Sequence, residues 1–239
     1  MKLSKVIEIL KENIPKKETW TPCKNEPYGE YNINLDNDKE VQKILYCVTA
    51  SDKVSEYFRE NNYDLLVSHH PIFADKGIPQ LIFHTALDCC KDGLNDFWKD
   101  FLNIKNPKHF YDNLGWYGEI NSISFNSLCK KIENQLESKI FGAKINNTEK
   151  INSVVICTGM GGMVNDKALK TDADCYILGQ CTGNPKNSGF RSLIEIGHTL
   201  SERNGFNLIE KLLKNKVLVD MVPLEKDICC YGEKYKEFV

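Results

Sequence analysis

The same order of elements is written twice in this chain, and that repetition restricts the fold more than any other feature. Val41 to Ala50 is rich in β-branched and aromatic residues and reads as a strand. Ser51 and Asp52 can cap a helix over Lys53 to Asn62, with Val54, Tyr57 and Phe58 on its inner face. The run Tyr63 to Val67 ends in Leu65-Leu66-Val67, a few consecutive apolar residues of buried-strand length, completing a βαβ unit. The order returns about 110 positions later, a self-match of the kind that marks internal repeats. Ile151 to Thr158 is a strand, Gly159-Met160-Gly161-Gly162 a turn, Val164 to Lys170 a helix and Ala173 to Gly179 a strand. No gap is needed, and Cys47 falls on Cys157, Val54 on Val164 and Asp64 on Asp174. An α/β fold with two similar domains from an internal duplication is expected. Ile123 to Leu136 has helical periodicity, so the division is expected as 1–122, which can also take in the C-terminal segment, and 123–239. Asn146 to Lys150 is polar, but no long linker separates the halves, so they should pack closely.

The first repeat closes on Ser68-His69-His70-Pro71, two imidazoles at the end of a buried strand, where open α/β sheets place their chemistry. Pro71 biases His70 towards an extended backbone, so the two side chains are expected to diverge and to serve two different ions. Ordinary loop histidines are the alternative. A second cluster, His84-Thr85-Ala86-Leu87-Asp88, is followed by Asp92-Gly93-Leu94-Asn95-Asp96. Asp88 is expected at a strand end or helix start, as a ligand or as a helix cap. In the second half, His198 and Glu202 stand at i and i+4, on one face of a helix and able to share an ion. Shifting Asp88 by the repeat length lands on His198, so the two are expected at equivalent strand ends. Together His69, His70, Asp88, His198 and Glu202 offer nitrogen and carboxylate donors suited to zinc, iron or manganese. Five ligands exceed what one open catalytic ion needs, and two divalent ions per chain would use them all.

With 31 basic and 33 acidic residues the net charge is −2, so nothing in the totals indicates wholesale nucleic-acid or membrane-surface binding. No run reaches the roughly 20 apolar residues of a transmembrane helix. Leu3, Val6, Ile7 and Leu10 form an amphipathic helix and not a signal peptide. Ten cysteines lack the paired C-x-x-C spacing of a structural zinc site; they are expected to be reduced, in a soluble cytoplasmic protein. Residues 15–40 read as a loop, with Trp20, Tyr28 and Tyr31 pinning it to the body.

The motifs Ser68-His69-His70-Pro71-Ile72-Phe73, then His84-Thr85-Ala86-Leu87-Asp88 with Gly93-Leu94-Asn95-Asp96, then Gly197-His198 followed by Ser201-Glu202, resemble the Nif-three-like dinuclear metal-centre family, also called GTP cyclohydrolase 1 type 2 homologues. The resemblance runs from about Val41 to Glu202. It implies two intertwined α/β domains, a toroidal homohexamer and a two-metal centre between the domains, with His69, His70, Asp88, His198 and Glu202 as ligands and Glu202 as the bridge. It also implies a metal-dependent hydrolase acting on a nucleotide such as GTP, with attack at the purine C8 carbon. His84 is the candidate catalytic residue, orienting a ligand or shuttling a proton, or else a plain core histidine. Gly159 to Gly162 could approach a phosphate but reads more simply as a tight turn. Two departures stand out. Leu178-Gly179-Gln180 carries an amide where the family usually has an acid, and Trp20 to Tyr31 lacks the usual Asn-Gly-Leu pattern. The domain inserted in longer relatives is absent. A non-catalytic ring protein binding a protein partner or single-stranded nucleic acid is the competing reading, with metal storage a third.

Overall fold

The computed structural model describes residues 1–34, 38–145, 150–183 and 188–223. Most of the polar stretch Asn146 to Lys150, and Cys229-Cys230, therefore lie outside the described residues. In chain order the first elements are α1 (Leu3–Asn13), β1 (Gly29–Tyr31), β2 (Lys43–Cys47), α2 (Asp52–Glu60), β3 (Leu65–Ser68), β4 (Gln80–Ile82) and α3 (His84–Cys89). Then come α4 (Leu94–Leu102), β5 (Lys105–Phe110), β6 (Gly115–Ser124), α5 (Phe125–Leu136), β7 (Gly142–Ile145) and β8 (Lys150–Cys157). The last are α6 (Asn165–Leu169), β9 (Cys175–Leu178), β10 (Ser192–Glu195), α7 (His198–Glu202), α8 (Gly205–Leu213) and β11 (Leu218–Met221). Two compact units result, Met1–Gly93 with Arg203–Glu225, and Leu94–Glu202.

The first unit carries a five-stranded sheet in the order β1-β4-β3-β2-β11. Its central strands are parallel and buried on both faces, which explains their unbroken apolar sequences. Leu45, Cys47 and Leu66 pack with Val54 and Phe58 of α2 on one side. α1, buried along Leu3, Val6, Ile7 and Leu10, lies against α8. Ser51 caps α2 as its sequence indicates, its Oγ accepting from the Val54 N–H at 3.3 Å. The segment read as loop contributes β1, antiparallel to β4.

The second unit carries a six-stranded sheet in the order β5-β6-β8-β9-β10-β7. Trp98, Leu128, Ile132, Ile151, Val154, Ile156, Cys175, Ile177 and Ile194 form its core. β6 pairs antiparallel with β8, so the 94–122 segment is built into this sheet and the compact units change over at Gly93–Leu94. β11 returns the chain to the first sheet beside β2.

The two units share local details at the repeat spacing. Asp64 Oδ2 accepts from the N–H groups of Gln42 and Lys43 at 2.9 and 3.1 Å; Asp174 Oδ2 does the same for Asn152 and Ser153 at 2.9 and 3.1 Å. Ile44 registers with Leu65 as Val154 does with Cys175. Beyond the strand ends, the His69 N–H donates to the Cys47 carbonyl as that of Gly179 donates to Cys157.

Candidate metal centre

In the first unit the β-ladder continues past Ser68. The N–H groups of His69 and His70 donate to the carbonyls of Cys47 and Val48 at 3.1 and 2.8 Å, holding both histidines at the C-terminal edge of the sheet. His69 is fully buried and His70 nearly so. Gln80 braces the turn beyond them, its amide donating to Ser68 Oγ at 2.8 Å and the Ile72 carbonyl at 2.9 Å. The rings of His69 and His70 lie 5.1 Å apart and are tilted 48° to one another. His84 joins them, its ring 5.2 Å from His69 and 5.8 Å from His70, and one nitrogen from each of the three lies within 4.8 Å of the others. Asp88, buried one turn along α3 from His84, brings Oδ2 to 3.7 Å from His69 Nε2. It is inside the helix and not at its N-cap, which is Phe83. Thr49 Oγ1 is 2.7 Å from His70 Nδ1 and fixes that ring, leaving Nε2 for other work.

Sequence reasoning missed the other neighbours of His84. Its Nδ1 bonds the Glu26 carboxylate, and Cys23 stands beside them. Burial, then the adjacent His69, lower the His84 imidazole below its ordinary value. Burial, then Glu26, push the Cys23 thiol up to about 12. The available signal was Cys23 and Glu26 three residues apart in a loop already expected to be pinned down.

In the second unit His198 and Glu202 share one face of α7, with Nε2 3.3 Å from Oε1. Gln180 Oε1 accepts from His198 Nδ1 at 2.9 Å, which fixes the tautomer and leaves the Nε2 lone pair facing the carboxylate. Gln180 thus fills, with an amide, the orienting place a carboxylate takes in many metal-binding histidines. α7 is only five residues long and is held from below. Trp98 Nε1 donates to the Ser201 carbonyl at 2.9 Å, and Ser201 Oγ accepts from the Gly159 N–H at 2.9 Å. Gly159, at φ +58°, lies directly under Glu202; a Cβ there would collide with Glu202 Oε1 and reach within 3.5 Å of His198 Nε2. Gly161 and Gly162 are closely packed against the Tyr176 hydroxyl and the Thr182 backbone. Of these glycines Gly159 alone packs against α7; the other two allow close packing of the turn itself.

The expected equivalence of Asp88 with His198 does not hold. His84 and His198 are each the first residue of the helix that follows the equivalent strand, β4 or β10, and Asp88 and Glu202 each come four residues later. The connections after β3 and β9 differ in length, so the simple offset slips there. Each unit therefore presents one histidine–carboxylate pair on one helical turn. Imidazoles held by Thr49 and Gln180, beside buried carboxylates, form His/carboxylate clusters that could bind a metal ion.

A mixed α/β protein with two sheets and histidine–carboxylate clusters at strand ends is the class these features define. The model of the Duf34/NIF3 (NGG1p interacting factor 3) family matches residues 1–78 and 73–227, and the chain belongs to that family. Among curated relatives, a GTP cyclohydrolase 1 type 2 homolog of Methanocaldococcus jannaschii is 25% identical, with 94% of this chain and 100% of that protein covered. One from Campylobacter jejuni is 27% identical over 80% of this chain and 86% of its own length. Among solved structures, reduced HcgD from M. jannaschii has a TM-score of 0.78 at 23% identity, covering 94% of this chain and 98% of that one. The protein ybgI gives 0.79 at 21% identity, covering 95% and 100%. These structures share the fold. No helix among the described residues is long and apolar enough to cross a membrane.

Proposed function

We propose that His69, His70, Asp88, His198 and Glu202 hold two divalent metal ions, zinc, iron or manganese, in one dinuclear centre to which both units contribute. We further propose that the chain is a metal-dependent hydrolase acting on a nucleotide such as GTP. The observation that carries this is the recurrence of one device: a histidine and, four residues on, a buried carboxylate on the short helix after a parallel strand, His84/Asp88 in one unit and His198/Glu202 in the other. The shared aspartate clasps and ladder registers support an origin in duplication of one α/β module. The name GTP cyclohydrolase 1 type 2 homolog carried by relatives supports the substrate class.

When bound, such ions supply Lewis acidity, lowering the pKa of a water from about 16 towards 7. Thr49 orients the His70 ring, and Gln180 holds His198 in the tautomer that frees Nε2. Glu202, supported by Gly159, would hold the ions through its carboxylate. His84 is a proton carrier: its ring adjoins His69, and its Nδ1 hands a proton to or from Glu26. The reaction is hydrolysis at the purine, water adding at C8 and the ring opening. The ring assembly is proposed as a homohexamer in the cytoplasm, with no membrane association. Incubating metal-quantified protein with GTP and other nucleotides tests the activity. Turnover lost in His69→Ala with assembly intact supports it; no turnover with any nucleotide at two metals per chain refutes it. A light-scattering mass near one chain refutes the ring.

A further inference from the structure

The stretch Trp20 to Tyr28 is firmly seated within the first unit. The Trp20 N–H donates to Thr85 Oγ1 on α3 at 3.2 Å. The Tyr28 ring packs edge-on against Phe83 at 5.5 Å, and its hydroxyl donates to the Ile14 carbonyl at 2.5 Å. Between these anchors the Cys23 N–H donates to the Trp20 carbonyl at 2.8 Å and the Glu26 N–H to the Cys23 carbonyl at 2.9 Å. Two successive turns thereby bring the Cys23 and Glu26 side chains to His84 at the start of α3. One donor atom from each of Cys23, Glu26 and His84 lies within 4.8 Å of the other two.

We propose that Cys23, Glu26 and His84 form a further metal site, separate from the five ligands above, that holds one exchangeable borderline divalent cation: zinc, cobalt or ferrous iron. Sulfur, nitrogen and oxygen donors together select these ions over magnesium or calcium. Three protein ligands leave a coordination position open, the pattern of a site that exchanges with solvent or substrate and not of a closed structural one. The exposure agrees: the His84 and Glu26 side chains are 22% and 37% accessible, whereas His69 is sealed. His84 is the hinge between the two sites, since its ring also adjoins His69 and His70. Cation binding and the proton transfer proposed for His84 are then alternative states of one imidazole.

Titrating the full-length, metal-stripped protein with cobalt(II) tests this directly, because only a thiolate ligand gives a near-ultraviolet sulfur-to-cobalt charge-transfer absorption. The band is expected to rise with one equivalent of cobalt beyond that retained by the five ligands above, and to vanish on brief desalting. It is expected to be lost in Cys23→Ser, kept in Cys89→Ser, and shifted to about tenfold weaker affinity or more in Glu26→Gln. Circular dichroism of each variant verifies folding, and Glu26→Gln keeps the test alive if Cys23→Ser does not fold. Absence of the band, its survival in Cys23→Ser, or unchanged affinity in Glu26→Gln would overturn the site. Failure of the dinuclear reading is distinguishable: the desalted protein would retain no cobalt while the sulfur band still rose during the titration.

Discussion

Replacing Gly159 with alanine asks two things of the structure at once. At φ +58° the backbone is in the left-handed region, which costs an L-residue about 1–2 kcal/mol. The new Cβ also falls on Glu202 Oε1, a collision with a buried carboxylate at the end of α7 that is 2% exposed. Relieving such overpacking costs a further 1–3 kcal/mol or so if the carboxylate stays. If it swings away, the strain is relieved and the ligand is lost, with metal affinity falling by at least about 100-fold. Gly77→Ala separates the two contributions, because Gly77 has φ +88° with nothing within 4 Å of its Cβ position. At about 2–4 °C per kcal/mol, Gly77→Ala should lower the melting temperature by about 2–8 °C and leave metal affinity alone. Gly159→Ala should either melt clearly lower still or bind metal far more weakly. Differential scanning calorimetry of the stripped proteins and competitive zinc titration read the two effects. A Gly159→Ala protein matching Gly77→Ala in both would refute the placement of Glu202 over this glycine.

Other consequences can be checked separately. Gln180→Leu removes the acceptor of His198 Nδ1 and should weaken metal binding about 10–100-fold by competitive titration, whereas Gln180→Glu should retain or tighten it. Asp64→Ala and Asp174→Ala each strip two backbone N–H groups of a charged acceptor and should each cost about 1.5–3 kcal/mol in urea unfolding; a large disparity would argue against equivalent roles. Trp98→Phe, which leaves the Ser201 carbonyl without its indole donor, should destabilise by about 1–3 kcal/mol. Burial holds the His109 imidazole below its ordinary value, so the folded chain takes up fewer protons than the unfolded one. Its contribution is intact above about pH 6.5 and is lost as pH falls towards the lowered value, so His109→Phe should flatten the decline in stability below about pH 6.5.

The parallel core strands were legible because burial on both faces leaves an unbroken apolar run, as in Leu65-Leu66-Val67. The cap of α2 was legible because Ser51 precedes an amphipathic run. β5 and β6 were not. β5 is exposed for most of its length, so neither alternation nor an apolar run marks it. β1 is three residues long among prolines and glycines, and only its partner β4 makes it a strand. Within the site, the histidine pair and His198/Glu202 could be read from local spacing. The pairing of His84 with Asp88 as the counterpart of His198 with Glu202 was hidden by a fixed offset, which the unequal connections after β3 and β9 break. Glu26 and Cys23 carried only their three-residue spacing as a signal: their meeting with His84 is made by tertiary anchors, Trp20 to Thr85 and Tyr28 to Phe83, that no local pattern encodes.

The most direct test of the dinuclear centre is elemental analysis of the purified, desalted protein against chain concentration, with His69→Ala and Glu202→Ala measured alongside. Two divalent ions per chain, falling to one or none in both variants, is the predicted result. No divalent ion in the parent protein, or a content unchanged by either substitution, would contradict it.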